Sequence, residues 1–310
     1  MEGGIKMNVT DLVNILNGLD DQDLDMRLYF TRKKPNGKYQ SYSPTIDPDL
    51  QKEIKDIVKL AVEKVQNVEQ RPFSPIGTIE GCIETYAPNE VTSFNDILES
   101  MSEDFVSRKE IPPEEISKLT FYCLKIYTEE GDILFFRRVT KFNRLKGGFF
   151  GKFTNGDFMK LDGTLLGIDP NVDIVILGEE MLILNHISLE RIFSIQDQYH
   201  EKASQTLDLV RRTNRITNYE QFREDCLSDG RVTRALTKLL NEEDSMHQVF
   251  ENFENVIQVI DIFGLNIEIA EENTKLVYED KSQLLDITRL MRDSFYRSWI
   301  NNRDGFDEGV

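Results

Sequence analysis

The residues whose chemistry stands out in this sequence are basic and aromatic side chains interleaved between Arg137 and Lys160. This stretch holds seven basic residues and one acid, a local net charge of +6, in a chain of 310 residues whose formal net charge is −18. The basic residues are Arg137, Arg138, Lys141, Arg144, Lys146, Lys152 and Lys160, and phenylalanines alternate with them. Such a segment can contact phosphates and stack on bases, which predicts a nucleic-acid interface. The alternative interpretation is a solvated strand face over an aromatic core, or a patch for the protein's own acidic surface.

A second group of basic residues lies on a predicted helix that begins at Arg231. Arg231, Arg234 and Lys238 fall at positions i, i+3 and i+7, so they share one stripe, mostly opposite the apolar face. Together with the preceding predicted helix and turn, they loosely resemble a helix-turn-helix. An ordinary solvated helix face explains the same spacing, and we keep both interpretations open.

A third group of basic residues surrounds a predicted turn at Pro35-Asn36-Gly37. No acid occurs between Arg32 and Ile46, while the basic residues of this segment are Arg32, Lys33, Lys34 and Lys38. Such a turn can border the same groove as the first group, but the sequence does not place one beside the other.

Catalytic and metal-binding motifs are incomplete in this chain. Gly151-Lys152 lacks the Ser or Thr that follows the lysine of a phosphate loop. Asp21-x-Asp23-x-Asp25 lacks the glycine that a calcium loop requires at its sixth position, where this chain has Met26. The three histidines, His186, His200 and His247, have no metal-ligand spacing. We therefore expect no catalytic centre, no metal and no cofactor, although carboxylates of a metal-dependent nuclease remain an alternative.

Hydrophobic patterning predicts an α+β protein in two parts, with a boundary that is open to a single continuous domain. The strand-rich part spans 1–186 and contains three hairpins, around Gly131, Asn155-Gly156 and Gly178. We expect an antiparallel meander with its helices on one face. The part from 187 to 310 is mostly helical, with a small hairpin between Leu265 and Tyr278.

Two long helices are predicted in the second part. The first begins with Ser188 as its cap and continues to about Val210. The last helix spans Ser282 to Ile300, and the tail beyond it is expected to fray. Helical spacing predicts a core-facing stripe on this last helix, formed by Leu284, Ile287, Met291 and Phe295.

The cellular compartment follows from what the sequence lacks. No apolar run approaches the roughly 20 residues of a membrane-spanning helix, and the N-terminus has no signal-peptide layout. The three cysteines are widely spaced and predict neither disulfides nor a zinc site. We expect a cytoplasmic protein.

Three stretches resemble the KwaB-like proteins of the Kiwa anti-phage defence system. They are 253–297, 173–193 and 131–146, the last with FFRRVTKF at 135–142. The similarity extends over most of the chain and is least before about residue 110. The resemblance implies a cytoplasmic effector that binds DNA, forms homodimers and hinders phage DNA replication or transcription. It also implies a membrane-embedded KwaA-like partner that recruits the effector to the inner membrane.

The resemblance assigns no DNA-contacting residues, so these candidates come from charge alone. They are Arg137, Arg138, Lys141, Arg144, Lys146, Lys152, Arg231, Arg234 and Lys238. A non-enzymatic DNA-binding effector is the leading hypothesis. The alternatives are a metal-dependent nuclease and an interaction module that does not touch nucleic acid.

Overall fold

The computed structural model describes residues 9–20, 24–75, 81–107, 111–140, 151–154, 157–160, 166–240, 248–270 and 274–307; for 151–154 and 157–160 it describes the backbone alone. The chain divides into two compact units. The first consists of Met1–Pro72 and Glu80–Ile195, and the second consists of Phe73–Ile79 and Gln196–Val310.

The first unit contains a large, mainly antiparallel sheet. Its strands are β1 (Met26–Lys33), β2 (Tyr39–Tyr42), β3 (Glu69–Pro72), β4 (Cys82–Tyr86), β5 (Phe121–Ile126), β6 (Ile133–Arg138), β9 (Ile174–Leu177) and β10 (Glu180–Ile183). They are ordered β2-β1-β5-β6-β9-β10-β4-β3, and β3 and β4 alone pair in parallel. A separate hairpin consists of β7 (Gly151–Thr154) and β8 (Asp157–Lys160). The three hairpins predicted in this part are confirmed.

Helices cover both faces of the large sheet. They are α1 (Val9–Gly18), α2 (Pro48–Glu63), α3 (Phe94–Met101), α4 (Pro113–Ile116) and α5 (His186–Ile192). The helix α2 begins where the Asp47 side chain accepts a hydrogen bond from the backbone N–H of Leu50, and Pro48 follows in the first turn. Apolar side chains of α1 and α2 form one core cluster with β1, β5 and β6.

The opposite face of the sheet packs against α3 and the end of α5. There the hydroxyls of Thr31, Ser41 and Ser100 form a buried chain with O···O distances of 2.8 Å, and Ser100 belongs to α3. The Phe136 ring lies 5.3 Å from the ring of Phe193, which follows α5. The expectation that the helices lie on one face is therefore wrong. The near-continuous apolar runs of β5 and β6 carry the signal for a sheet that is buried on both sides.

The second unit is mostly helical, as predicted. Its elements are α6 (Ile195–Thr213), α7 (Tyr219–Ser228), α8 (Gly230–Leu240), α9 (Phe253–Phe263), α10 (Leu284–Met291) and the hairpins β11 (Glu268–Ala270) with β12 (Lys275–Val277) and β13 (Phe295–Arg297) with β14 (Asp304–Phe306). The helix α9 ends at Gly264, whose φ of 59° is a left-handed C-cap conformation that glycine adopts without strain.

The two long helices that the sequence predicts are shorter in the structure. Asn185, and not Ser188, caps α5, and Ser194 at φ 53° separates α5 from α6. The last helix ends at Met291, because Asp293 adopts φ 49° and turns the chain into β13. The region beyond Ile300, expected to fray, contributes the strand β14. Within the described residues, no helix combines the length and apolarity that membrane crossing requires.

Candidate nucleic-acid interface

The predicted basic segment begins at the end of β6. Arg137 and Arg138 are the last two residues of this strand. Lys141, Arg144 and Lys146 lie outside the described residues. Lys152 belongs to β7 and Lys160 to β8, where only the backbone path is described. The geometry of the candidate interface therefore rests on Arg138 and on the residues around it.

Arg137 is enclosed by two carboxylates. Its Nε donates hydrogen bonds to both carboxylate oxygens of Asp169, at 2.9 and 3.1 Å, and its Nη1 donates to Oδ1 of Asp173 at 2.6 Å. The three side chains are largely buried, with exposed fractions of 15%, 8% and 1%. Burial on its own lowers the pKa of Arg137, but Asp173 and Asp169 outweigh it and raise the pKa above its usual value.

Asp173 also joins three strands of the sheet. Its Oδ2 accepts a hydrogen bond from the backbone N–H of Arg138, and its own N–H donates to the Phe136 carbonyl. Its carbonyl accepts from the backbone N–H groups of Leu184 and Asn185, after β10. Removal of Arg137 would leave two buried charges without this partner, which is costly in a protein interior. The arrangement gives Arg137 a structural role at this end of the sheet.

Arg138 lies on the opposite face of the sheet from Arg137. It pairs with Phe121 of β5, which in turn pairs with Thr31 of β1, so these three side chains share one face. Arg138 is half-buried, and its guanidinium has no ion pair within the described residues. It can therefore receive a phosphate without losing an existing carboxylate partner.

The register brings the turn between β1 and β2 to the same end of the sheet as Arg138. Thr31 lies two strands from Arg138, a separation of about 10 Å at the usual strand spacing. The chain then continues through Lys33 into the turn and returns at Tyr39, the partner of Lys33. We call Lys34, Lys38 and Arg138 the basic sheet end. In the sequence, the basic residues of the β1–β2 turn and those at the end of β6 are about 100 residues apart. The pairing of β1, β5 and β6 brings both to the same end of the sheet.

The other two cations of the β1–β2 turn already have partners. Arg32 forms an ion pair with Glu115 and donates to the Gln40 side chain. Lys33 donates to the Ser194 hydroxyl at 2.8 Å and lies over the Tyr39 ring. Lys34 is half-buried and Lys38 is exposed, and neither has an ion pair in the part of the chain that the structure describes. These two lysines are the members of the turn best placed for a phosphate.

The basic stripe of α8 belongs to the second unit. Arg231 is exposed, and Arg234 and Lys238 are half-buried, while Val232, Leu236 and Leu239 are fully buried. Asp229 accepts hydrogen bonds from the backbone N–H groups of Arg231 and Val232 and so caps the helix. Because α8 buries most of its circumference, it offers only a narrow face to a partner.

Carboxylates and histidines of the described residues form no group of three or more that could hold a metal ion. His186 lies beside two carboxylates, with an Nδ1–Oε2 distance of 2.9 Å to Glu84 and an Nε2–Oε1 distance of 3.8 Å to Glu190. This pairing was missed in the sequence because 102 residues separate His186 from Glu84. It links the start of α5 to β4 and gives His186 a structural explanation.

Comparison with known proteins identifies one family. Residues 116–301, more than half of the chain, match the family described as Kiwa protein KwaB-like. The match includes Arg137, Arg138 and the whole of α8, and it begins after β1 and β2. No curated protein and no solved structure shows significant similarity to the chain.

Proposed function

The chain belongs to the KwaB-like family of Kiwa proteins and is thus a component of a Kiwa anti-phage defence system. From this premise, we propose that it is an effector that binds DNA through the basic sheet end. The observation that carries the proposal is the shared position of Arg138, Lys34 and Lys38 at one end of the large sheet. The basic segment 141–152 continues the chain shortly after Arg138.

Concentrated positive charge is what an acidic protein needs in order to bind DNA. The net charge of −18 repels a polyanion at long range. At physiological salt the Debye length is about 8 Å, so distant acids are screened while direct phosphate contacts persist. Three acids of this part of the sheet already bind cations: Asp169 and Asp173 bind Arg137, and Glu115 binds Arg32 and Lys118. Because these carboxylates already have cationic partners, they do not neutralise Lys34, Lys38 or Arg138.

The proposed binding mode has little specificity for DNA sequence. Lysine and arginine contacts to phosphates position a protein on DNA without distinguishing bases. Such an effector hinders replication or transcription of phage DNA by occupying it. We further propose that it acts as a homodimer in the cytoplasm and that a membrane-embedded KwaA-like partner recruits it to the inner membrane.

The full chain is expected to bind unrelated duplexes of equal length with similar affinity. Log affinity should fall linearly with log salt, with a slope of about −0.9 for each phosphate contact, or about −3 to −5 for three to five contacts. Fluorescence anisotropy at several salt concentrations measures the slope. Absence of binding at low salt contradicts the proposal and favours an interaction module that does not touch DNA. Cleavage of the duplex that requires Mg²⁺ favours the nuclease alternative.

Recruitment by the partner is tested by cell fractionation. Expressed alone, the chain is expected mostly in the supernatant after ultracentrifugation, and the membrane-embedded partner is expected to move most of it into the membrane fraction. A partner that leaves the distribution unchanged contradicts the recruitment part of the proposal. The DNA-binding part is measured separately on purified protein, so the two parts can fail independently.

A further inference from the structure

The hairpin of β13 and β14 ends in a loop that is ordered by its own hydrogen bonds. The N–H of Ser298 donates to the carbonyl of Arg303 at 2.8 Å, and the N–H of Asn302 donates to the carbonyl of Ser298 at 2.9 Å. The N–H of Arg303 donates to the Ser298 hydroxyl at 3.0 Å. Asn302 adopts φ 49°, a left-handed conformation that asparagine tolerates better than most residues. The loop at 298–303 is therefore a built turn.

The base of this hairpin is anchored to the second unit. The Phe295 ring lies 4.7 Å from Phe263 of α9, and the guanidinium of Arg289 lies 3.9 Å from the centre of the Phe306 ring. The N–H of Asp307 donates to the Ser294 carbonyl at 2.8 Å. Within the hairpin, the Tyr296 ring covers Gly305, where a Cβ atom would approach it to 3.0 Å. The base and the loop of the hairpin are therefore both held by defined contacts.

The tip exposes the two most exposed large hydrophobic side chains among the described residues. Trp299 is 99% exposed and its neighbour Ile300 is 92% exposed, whereas the next such side chain, Phe105, is 62% exposed. Single exposed apolar residues are common on protein surfaces. Two adjacent ones on a hydrogen-bonded turn are different, because the turn maintains their contact with water instead of folding them away. Such an exposed apolar tip is suited to insertion into an apolar environment outside the protein.

The charge around the tip indicates what kind of surface it contacts. No acid occurs from Ser298 to Arg303, and Arg303 adds a positive charge. The nearest acid, Asp304, binds Arg297 through two hydrogen bonds of 2.6 and 3.2 Å. In a chain of net charge −18, the tip is thus locally neutral to positive. This composition complements an anionic lipid headgroup layer, whereas the acidic bulk does not.

We propose that the tip of this hairpin, Trp299 and Ile300 with Arg303, inserts into the surface of an anionic lipid bilayer. Tryptophan favours the headgroup level of a membrane, where its ring is in an apolar region and its N–H reaches polar groups. Isoleucine enters the acyl boundary, and arginine binds a lipid phosphate as an ion pair. This contact is independent of DNA binding and adds a direct lipid contact to recruitment by a partner.

Trp299 is the sole tryptophan of the chain, so intrinsic fluorescence reports on the tip alone. Vesicles of phosphatidylcholine with phosphatidylglycerol are expected to shift its emission to shorter wavelength, and brominated lipids are expected to quench it. Pure phosphatidylcholine vesicles should bind more weakly, because they offer Arg303 no net negative charge. An emission that neither shifts nor is quenched with anionic vesicles overturns the proposal. So does an emission that is already shifted without lipid and depends on protein concentration, which indicates a second copy of the chain as the occupant.

Variants of the tip are measured by vesicle co-flotation. Trp299→Ala is expected to reduce the affinity of the protein for anionic vesicles by about tenfold or more. Ile300→Glu is a second variant, and it keeps the tryptophan fluorophore. Ile262→Ala, a 53% exposed residue of α9, is the matched control and should bind vesicles as the parent does. Because the tip side chains touch solvent, both tip variants should keep the parental Tm and DNA affinity. Equal flotation of the parent and Trp299→Ala overturns the proposal.

Discussion

Replacing Arg138, Lys141 and Arg144 with glutamate is expected to weaken duplex-DNA binding by more than about tenfold and to flatten the salt slope by about 2 to 3. Three phosphate contacts at about −0.9 each account for the change in slope, and charge reversal adds repulsion. The loss should be similar for unrelated duplexes, because phosphate contacts carry no sequence information. Anisotropy titrations of the parent and the triple variant, at matched salt concentrations, measure both quantities.

Arg137 is kept in this experiment because its partners make it part of the fold. Arg137→Glu would place a third carboxylate beside Asp169 and Asp173, and a broken buried ion pair costs about 3 kcal/mol or more. Loss of DNA binding in that variant would then report unfolding. A control for added negative charge is Lys59→Glu on α2 with Lys64→Glu at its C-cap. A triple variant that folds normally and keeps the parental affinity and slope shows that the basic segment is a structural face.

Two further sets of variants locate the contact more closely. Lys34→Glu with Lys38→Glu should flatten the slope by about 2, since both lysines belong to the basic sheet end. Replacement of Arg231, Arg234 and Lys238 should have a smaller effect, because α8 exposes only a narrow stripe. A larger loss from the α8 set than from the Lys34 and Lys38 set would move the proposed interface to the second unit.

Met291→Asp is expected to destabilise the second unit by about 4 kcal/mol or more, with a fall in Tm of about 10 °C or more. Met291 is 1% exposed and lies in one core cluster with Leu276, Tyr278 and Ile287. The substitution removes a large apolar side chain and buries a carboxylate without a partner. Thermal unfolding followed by circular dichroism measures the effect.

The control for Met291→Asp uses the same chemical change at an exposed position. Ile262 of α9 is 53% exposed, so Ile262→Asp should lower Tm by only a small fraction of that amount. Met291→Leu conserves volume and apolarity and should cost less than about 1.5 kcal/mol. A Tm for Met291→Asp equal to that of the parent would place this face of α10 in contact with solvent.

Local patterns in the sequence determined most of the element types. Alternating and continuous apolar runs separated by glycine turns predicted the hairpins of β5 with β6 and of β9 with β10, and both are confirmed. Helical periodicity correctly placed Leu284, Ile287 and Met291 in a core, whereas Phe295, the fourth residue of that predicted stripe, lies in β13 and is only partly buried. These features depend on residues that are neighbours in the chain. Element boundaries were less accurate, because the left-handed residues Ser194 and Asp293 end helices without a glycine or proline to mark the position.

The sequence by itself also determined the family and the presence of a basic segment in an acidic chain. Only the tertiary structure decided what each cation does. Arg137 and Arg138 are adjacent and chemically alike, yet side chains alternate between the two faces along β6. Arg137 therefore binds a pair of buried carboxylates, and Arg138 lies on the opposite face. The partners of Arg137 lie 32 and 36 residues away, and Lys34 and Lys38 reach Arg138 only through the pairing of β1, β5 and β6. Charge composition is a property of the chain, whereas the availability of a charge is set by long-range pairing, which no local pattern encodes.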